Sequence, residues 1–321
     1  MNGIETLQQT FDAYFDHRHF PNFPSTLYDP LEEFLSNSGK RIRPVLCLMG
    51  NNLFSQIHQD AYHLAASVEL FHNFTLIHDD IMDKAPLRRG KPTVHSVHGE
   101  PTALLGGDVM MVVAYDYINK IESPHIKLII SLFNKTAKEV CEGQQLDMDF
   151  EKREDVSLDE YLKMIEMKTS VLLASSLQLG SIIGGAAHND QQHLYEFGRN
   201  LGVAFQIQDD YLDAFGDPLK FGKQVGGDIQ SNKKTFLLIH ALQTATGSMA
   251  ELLTSVIKTN PENKVQTVLD IYRKCGIDKW ASQLKDEFLS KAFEHLNAIN
   301  VPENRKEPLR ILAKYLINRD K

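Results

Sequence analysis

Two strings in this 321-residue chain hold the side chains best placed for chemistry: Asp79-Asp80-Ile81-Met82-Asp83 and Asp209-Asp210-Tyr211-Leu212-Asp213. On a helix, positions i and i+4 share one face about 6 Å apart, so Asp79 with Asp83 and Asp209 with Asp213 each present two carboxylates together. The middle aspartate of each string, Asp80 or Asp210, points roughly 100° away. Like charges this close repel, so the pairs call for a cation. Hard oxygen donors with no histidine or cysteine beside them suit magnesium better than zinc or copper. One such triple is a weak signal, whereas two in one chain are hard to attribute to chance. Both close apolar-patterned stretches, where a helix C-terminus disfavours acidic residues.

Basic residues follow both strings, as magnesium chemistry on phosphates requires. Arg88 and Arg89 sit in a Gly/Pro-rich loop after the first string, while Lys223, Lys233 and Lys234 follow the second. Upstream, Gly39-Lys40-Arg41-Ile42-Arg43-Pro44 puts Lys40 and Arg43 at an expected helix start, where free backbone N–H groups favour an anion. Lys168 opens a stretch otherwise free of charge, Thr169 to Asn189. At 21 residues that stretch approaches membrane-spanning length. Its eight Ser, Thr, Gln, His and Asn residues and its glycines argue for a helix buried among helices, with Gly180-x-x-x-Gly184 marking close packing.

The elements that must carry these residues are helical. Apolar positions recur at spacings of three and four, as in Val68 to Asp83 and Leu194 to Asp213, and alternating strand patterns are scarce. Proline and glycine punctuation leaves about ten helix-sized segments with no linker or low-complexity region, so the expectation is one all-α domain, a helical bundle over residues 1–321. The two aspartate strings form a faint internal echo without a fixed repeat period. From Ala250 onward no interpretable motif appears.

Composition bounds the partners. The 34 Lys and Arg against 42 Asp and Glu give a net charge of −8, the wrong sign for a chain whose main partner is nucleic acid. Three widely spaced cysteines, Cys47, Cys141 and Cys275, match neither a disulfide framework nor a zinc site. No signal-peptide pattern opens the chain, and the expected location is the cytoplasm.

Taken in order and spacing, GKRIRP, LIHDDIMDKAPLRRGKPTVH, LLGGDVMM, EGQQLDMDFE, MIEMKTS and FQIQDDYLDAFGD resemble the trans-isoprenyl diphosphate synthases, the farnesyl and geranylgeranyl diphosphate synthase family, from about Gly39 to Lys234. The resemblance implies an all-α isoprenoid-synthase fold, a homodimer, and two aspartate motifs facing across a cavity that holds magnesium, three ions with substrate bound. It assigns Asp79, Asp83 and Asp209 as metal ligands, with Asp80, Asp210 and Asp213 in support. Arg88, Lys168, Thr169, Gln206, Lys223 and Lys233 would contact the allylic diphosphate. Gly39, Lys40, Arg43, His72 and Arg89 would hold isopentenyl diphosphate. The implied reaction is ionisation of the allylic diphosphate, attack by the isopentenyl double bond, and loss of a proton.

In such enzymes the residues just before the first motif set product length. Here they are Phe74 and Thr75, an aromatic followed by a small residue, which resembles synthases making the C20 geranylgeranyl product. A C15 farnesyl synthase is the alternative, and Phe71, Met110, Met111 and Val113 are further candidates for the cavity floor. Spacing supports Phe74 and Thr75 only in part, since Thr75 lies on the side of Asp79 while Phe74 is turned roughly 140° away.

Other classes fit less well. A terpene cyclase would replace the second aspartate string with an Asn/Ser/Glu motif. A non-catalytic partner subunit would have lost carboxylates. A di-iron bundle would use Glu69-x-x-His72 and Glu122-x-x-His125, and Pro124 breaks the second.

Overall fold

The computed structural model describes residues 2–37, 39–216 and 225–318. Among these residues helices make up nearly all the ordered structure, beside one two-stranded ribbon, and the segments are more numerous than the ten expected. The excess comes from short helices in the linking stretches and from a break in the uncharged segment. The chain forms two compact units, 1–135 with 175–194 and 300–308, and 136–174 with 195–299 and 309–321.

The first unit contains α1 (Asn2–Phe15), α2 (Ser25–Ser36), α3 (Ile42–Asn52), α4 (Gln59–Met82), α5 (Val94–His98) and α6 (Glu100–Ile118), with parts of helices shared by both units. The α4 helix runs 24 residues with no internal glycine or proline, and its N-cap His58 accepts a hydrogen bond from Asp60 N. Leu64, Ala65, Val68, Phe71 and Ile77 bury it among its neighbours, chiefly α6. It ends at Asp83, after which Lys84 turns left-handed (φ 50°). A ribbon follows, β1 (Leu87–Arg88) antiparallel to β2 (Lys91–Pro92), with Arg88 opposite Lys91.

The uncharged segment is not one long helix. Glu166–Ser170 forms a single π-helical turn, α9 spans Val171–Ile183, and a turn at Gly185 (φ 78°) precedes the next helix. No helix is long and apolar enough to cross a membrane among the described residues. The glycine spacing packs as expected. A Cβ on Gly180 would stand 1.8 Å from Cys47 O, and one on Gly184 2.8 Å from Asn51 O; in return, a Cβ on Gly50 of α3 would stand 2.2 Å from Leu177 O. Both helices therefore need bare backbone at the crossing.

The second unit holds the later part of α7 (Ile126–Glu151), α8 (Leu158–Ile165), most of α10 (His188–Phe215), α11 (Gly227–Gln230), α12 (Phe236–Thr244), α13 (Ser248–Thr259), α14 (Lys264–Lys274), α15 (Ile277–Ala298) and the end of α16 (Glu303–Ile317). A capping box between Ser157 and Glu160 starts α8. Tyr161, Val203, Ile207, Phe236, Ile239, Tyr272 and Ile277 build its core. The motif-free C-terminal third thus supplies apolar faces to this core.

Candidate active site

In the first unit, α4 carries the first aspartate string in its last turn. Asp79 is half-buried and Asp83 is exposed, while the middle residue Asp80 is 2% exposed. Asp80 is spent internally: Arg88 Nε lies 2.9 and 2.8 Å from its two oxygens and Arg88 Nη2 2.8 Å from Oδ1. The carboxylate that faces inward therefore holds an arginine of the ribbon, and Asp79 with Asp83 point elsewhere, as helical spacing requires.

Four guanidinium groups surround the middle of α4. Arg41, in a left-handed N-cap before α3, donates to Glu69 (2.6 Å), and Arg88 is taken by Asp80. Arg43 and Arg89 have no carboxylate within salt-bridge distance among the described residues. Arg43 Nη1 donates to His72 Nε2 (3.0 Å), and its Nε is buried without a partner. Burial pushes Arg43 down to about 10, with Glu69 opposing and Arg89 adding to the shift. Burial and the neighbouring Arg88 likewise lower Arg89. His72 is held well below its usual value by burial and by Arg43, Arg89, Arg88 and Arg41, so it stays neutral and accepts from Arg43. Its proton is then on Nδ1.

Gly39 completes this group: a Cβ there would lie 2.8 Å from the Arg89 guanidinium. Gly39, Arg43, His72 and Arg89 are thus brought together from three segments, and exposed Lys40 lies beside Gly39 in the chain. Positive charge that is not ion-paired directly is a receptor for an anion. Glu69 and His72, the first pair of the di-iron alternative, are turned to Arg41 and Arg43, and Glu122 and His125 precede α7, so that reading fails.

The second unit has the opposite excess. On α10, Asp210 is buried and accepts from Tyr161 Oη and from Gln206 Nε2 (3.0 Å). Its partner Asp213 accepts from Asp228 N (3.0 Å), fixing the turn that starts α11. Lys233 Nζ stands 3.8 Å from Asp228, and Lys168 Nζ 2.5 Å from Asp147 of α7. Burial pushes Asp228 up to about 6; Lys233 opposes this, and Asp210, Asp213 and Asp147 reinforce it. Burial alone would lower Lys233, but Asp210, Asp228, Asp147 and Asp213 outweigh it and hold its ammonium above the usual range. Lys168 is therefore not the isolated charge the sequence suggested.

The π turn bearing Lys168 and Thr169 is set by two glycines. A Cβ on Gly143 of α7 would stand 2.3 Å from Lys168 N, and one on Gly202 of α10 2.7 Å from Ser170 Cα. A single π turn inside a helix re-aims the side chains it carries and recurs at functional sites. Lys223 lies outside the described residues.

Sequence reasoning missed Asp147, Tyr161 and Asp228. The first lies inside the quoted motif EGQQLDMDFE, where an aspartate could have been noted, and the last stands five positions before Lys233. No sequence signal ties Tyr161 to Asp210, 49 positions away. It also missed Lys264, buried on α14, which donates to Gln230 O (2.9 Å) and Asn260 Oδ1 (3.0 Å) and so anchors the end of α11.

Comparison with known proteins agrees with this architecture. Residues 24–275 match the family model for polyprenyl synthetase. The chain is 37% identical over 298 residues to a short chain isoprenyl diphosphate synthase of Methanothermobacter thermautotrophicus, covering 92% of this chain and 91% of that protein. It is also 37% identical over 311 residues to a geranylgeranyl diphosphate synthase of Saccharolobus solfataricus, covering 94% and 93%. A crystal structure of a geranylgeranyl pyrophosphate synthase superposes with a TM-score of 0.94 at 40% identity over the whole of both chains. The fold is the all-α isoprenoid-synthase fold. The chain belongs to the polyprenyl synthetase family.

Proposed function

We propose that this chain is a short-chain trans-prenyltransferase that condenses isopentenyl diphosphate with allylic diphosphates and makes the C20 product geranylgeranyl diphosphate. The observation that carries the reading lies on α4. Beside His72 of α4 lie Arg43 and Arg89, neither with a carboxylate within salt-bridge distance among the described residues, and two to three turns further along the same helix stand the Asp79 and Asp83 carboxylates. A protein that must hold a diphosphate and its metal ions needs both.

The donor set fits magnesium, since the proposed ligands are carboxylates only. In this reading Asp79, Asp83 and Asp209 hold the ions, three per site with substrate bound. When bound, magnesium neutralises the charge that grows on the departing pyrophosphate.

The residues of the chain do the rest. Arg88, Lys168, Thr169, Gln206, Lys223 and Lys233 contact the allylic diphosphate, and Asp80, Asp147 and Asp228 stand beside Arg88, Lys168 and Lys233. Asp210 is braced by Tyr161 and Gln206, and Asp213 fixes the Asp228 turn, so neither needs to leave its partners. Gly39, Lys40, Arg43, His72 and Arg89 take the diphosphate of isopentenyl diphosphate. His72, kept neutral, can donate Nδ1–H without adding charge. Among the described residues no side chain is placed as an evident base, and the proton passes to the departing pyrophosphate. Holding both diphosphates and excluding water from the allylic cation supply the remaining rate.

We place the floor of the chain pocket at Phe74 and Thr75. Phe74 is nearly buried and rests against Phe71, with ring centroids 5.5 Å apart. Thr75 stays half-buried with its hydroxyl donating to His72 O (2.8 Å). Phe71, Met110 and Val113 are packed in the core, as their apolar character alone would require. We infer further that the two compact units act as one domain, since four of the five boundaries between them fall inside helices and no linker separates them. A cytoplasmic homodimer fits the net charge of −8, cysteines that form no disulfide among the described residues, and exposed Leu104, Leu105 and Val112 on α6.

Mass spectrometry of products formed with magnesium, isopentenyl diphosphate and each of the C5, C10 and C15 primers tests this directly. The expected end product is C20. A C15 product would keep the chemistry and move the floor closer to Asp79, and no elongation from any primer would identify a non-catalytic subunit.

A further inference from the structure

One side chain between the metal-facing aspartates and the floor has no role so far. His78 precedes Asp79 by one position and follows Phe74 by one helical turn. Its ring meets Phe74 edge to face, with centroids 4.7 Å apart and planes at 66°. Only 15% of its side chain is exposed. On its far side lies α6: His78 Nε2 is 3.1 Å from Leu104 O, and since a carbonyl only accepts, Nε2 carries the proton and donates. A Cβ on Gly107 would stand 2.2 Å from Nε2 and 2.4 Å from Cδ2. Glycine is thus the one residue at 107 that leaves room for the ring. The neighbouring Gly106 does a separate job, receiving Leu31 of α2 at 2.7 Å from its notional Cβ.

The imidazole is therefore a wedge set against the bare backbone of Gly107, the carbonyl of Leu104 and the edge of Phe74, with exposed Asp108 Oδ1 3.9 Å from its Nε2. Phe74 in turn is held between this ring and Phe71. An aromatic ring confined on two sides cannot change rotamer without displacing a neighbour. Its position, and with it the depth of any space it closes, depends on the thickness of the wedge.

We propose that His78 and Gly107 form a specificity-determining couple: His78 is a positioning residue that sets product length by holding Phe74, and Gly107 sets how far the ring can retreat toward α6. The inference rests on Phe74 being the floor. It gives two substitutions of opposite sign. His78→Ala removes the wedge, lets Phe74 turn toward Gly107, and deepens the pocket. Gly107→Ala drives the ring onto Phe74 and makes the pocket shallower. In the double variant the added methyl takes up part of the space the ring vacates, and the two effects oppose each other.

Product distributions are read by mass spectrometry at equal conversion, with enzyme in excess where turnover is slow, alongside Phe74→Ala and thermal melting of each variant. Expected are at least a tenfold rise in the ratio of products longer than wild type for His78→Ala, a shift of one five-carbon unit toward shorter product for Gly107→Ala, and a return toward wild type in the double variant. A general loss of stability would not move length in opposite directions or restore it on combination. If Phe74→Ala lengthens the product while His78→Ala and the double variant keep the wild-type distribution, the couple is refuted and the floor stands. If Phe74→Ala leaves the product unchanged, the floor assignment falls and this inference with it. Should Gly107→Ala fail to fold, His78→Ala and the double variant decide the matter alone.

Discussion

Neighbouring aspartates of one string do unlike work, and the difference is measurable. Asp79 and Asp209 are half-buried and are proposed as metal ligands, so changing either to asparagine should cut turnover by more than about 100-fold, since even supporting residues of metal sites are worth 10- to 100-fold. Neither change should move the melting temperature of the metal-free protein much. Asp80→Asn is expected to lower activity and stability together, by about 1 to 3 kcal/mol, because it leaves Arg88 without its buried partner. Steady-state kinetics with melting curves separates the two classes, and equal stability losses for all three would remove the distinction. Arg89→Ala should raise KM for isopentenyl diphosphate at least tenfold while changing KM for the allylic substrate little, because Arg89 belongs to the Gly39, Arg43 and His72 group; equal changes in both would reject the division. The aspartate strings were legible because i, i+4 spacing states a shared direction outright. Tyr161 was not, since its pairing with Asp210 exists only once α8 lies against α10. The excess of unpaired arginine was half legible: the sequence shows Arg43 and Arg89, but only the fold shows that Glu69 and Asp80 are already taken by Arg41 and Arg88.

At the scale of elements, periodicity in three and four identified helices and glycine spacing identified a crossing. It did not reveal where a helix would change its winding. The uncharged segment reads as one continuous helix, yet Glu166–Ser170 is a π turn, because Gly143 and Gly202 let two other helices press on Lys168 and Ser170. That is a tertiary cause with no local signature. The Gly180 crossing, by contrast, was visible in the residues themselves and carries a firm expectation. Gly180→Ala places a Cβ against the Cys47 carbonyl, a backbone atom that cannot rotate away, and should cost about 3 kcal/mol or more. Gly185→Ala meets no neighbour within 4 Å and bears only the strain of φ 78°, about 1 kcal/mol. Chemical denaturation of the two variants should show that order, and a Gly180→Ala protein as stable as Gly185→Ala would mean that α3 and α9 can part without loss.

Over the whole molecule, charge is segregated more sharply than the net value of −8 suggests, with arginines in excess around α4 and carboxylates around α10. The acidic cluster makes stability depend on pH in a direction opposite to that of paired carboxylates. Burial pushes Asp228 from 3.8 up to about 6, with Lys233 opposing the shift and Asp210, Asp213 and Asp147 reinforcing it. The folded protein therefore holds this proton more tightly than the unfolded chain. The resulting stabilisation is fully present below about pH 4 and is lost as pH rises through 6. Asp228→Asn mimics the protonated form at every pH. In metal-free protein the melting temperature of Asp228→Asn minus that of wild type should be near zero at pH 4, grow through pH 6 and level off above 7; acid unfolding by other carboxylates is common to both proteins and cancels in the difference. Magnesium with pyrophosphate should reverse the sign, because cations held in the cluster favour its ionised form. Wild type should then gain more from that addition at pH 7.5 than at 5.5, and more than Asp228→Asn at either pH. A difference that stays flat across pH 4 to 8 in the metal-free protein would show that Asp228 is not the titrating group, whereas a normal pH curve with no response to magnesium and pyrophosphate would leave the cluster acidic but place the metal-assisted step elsewhere.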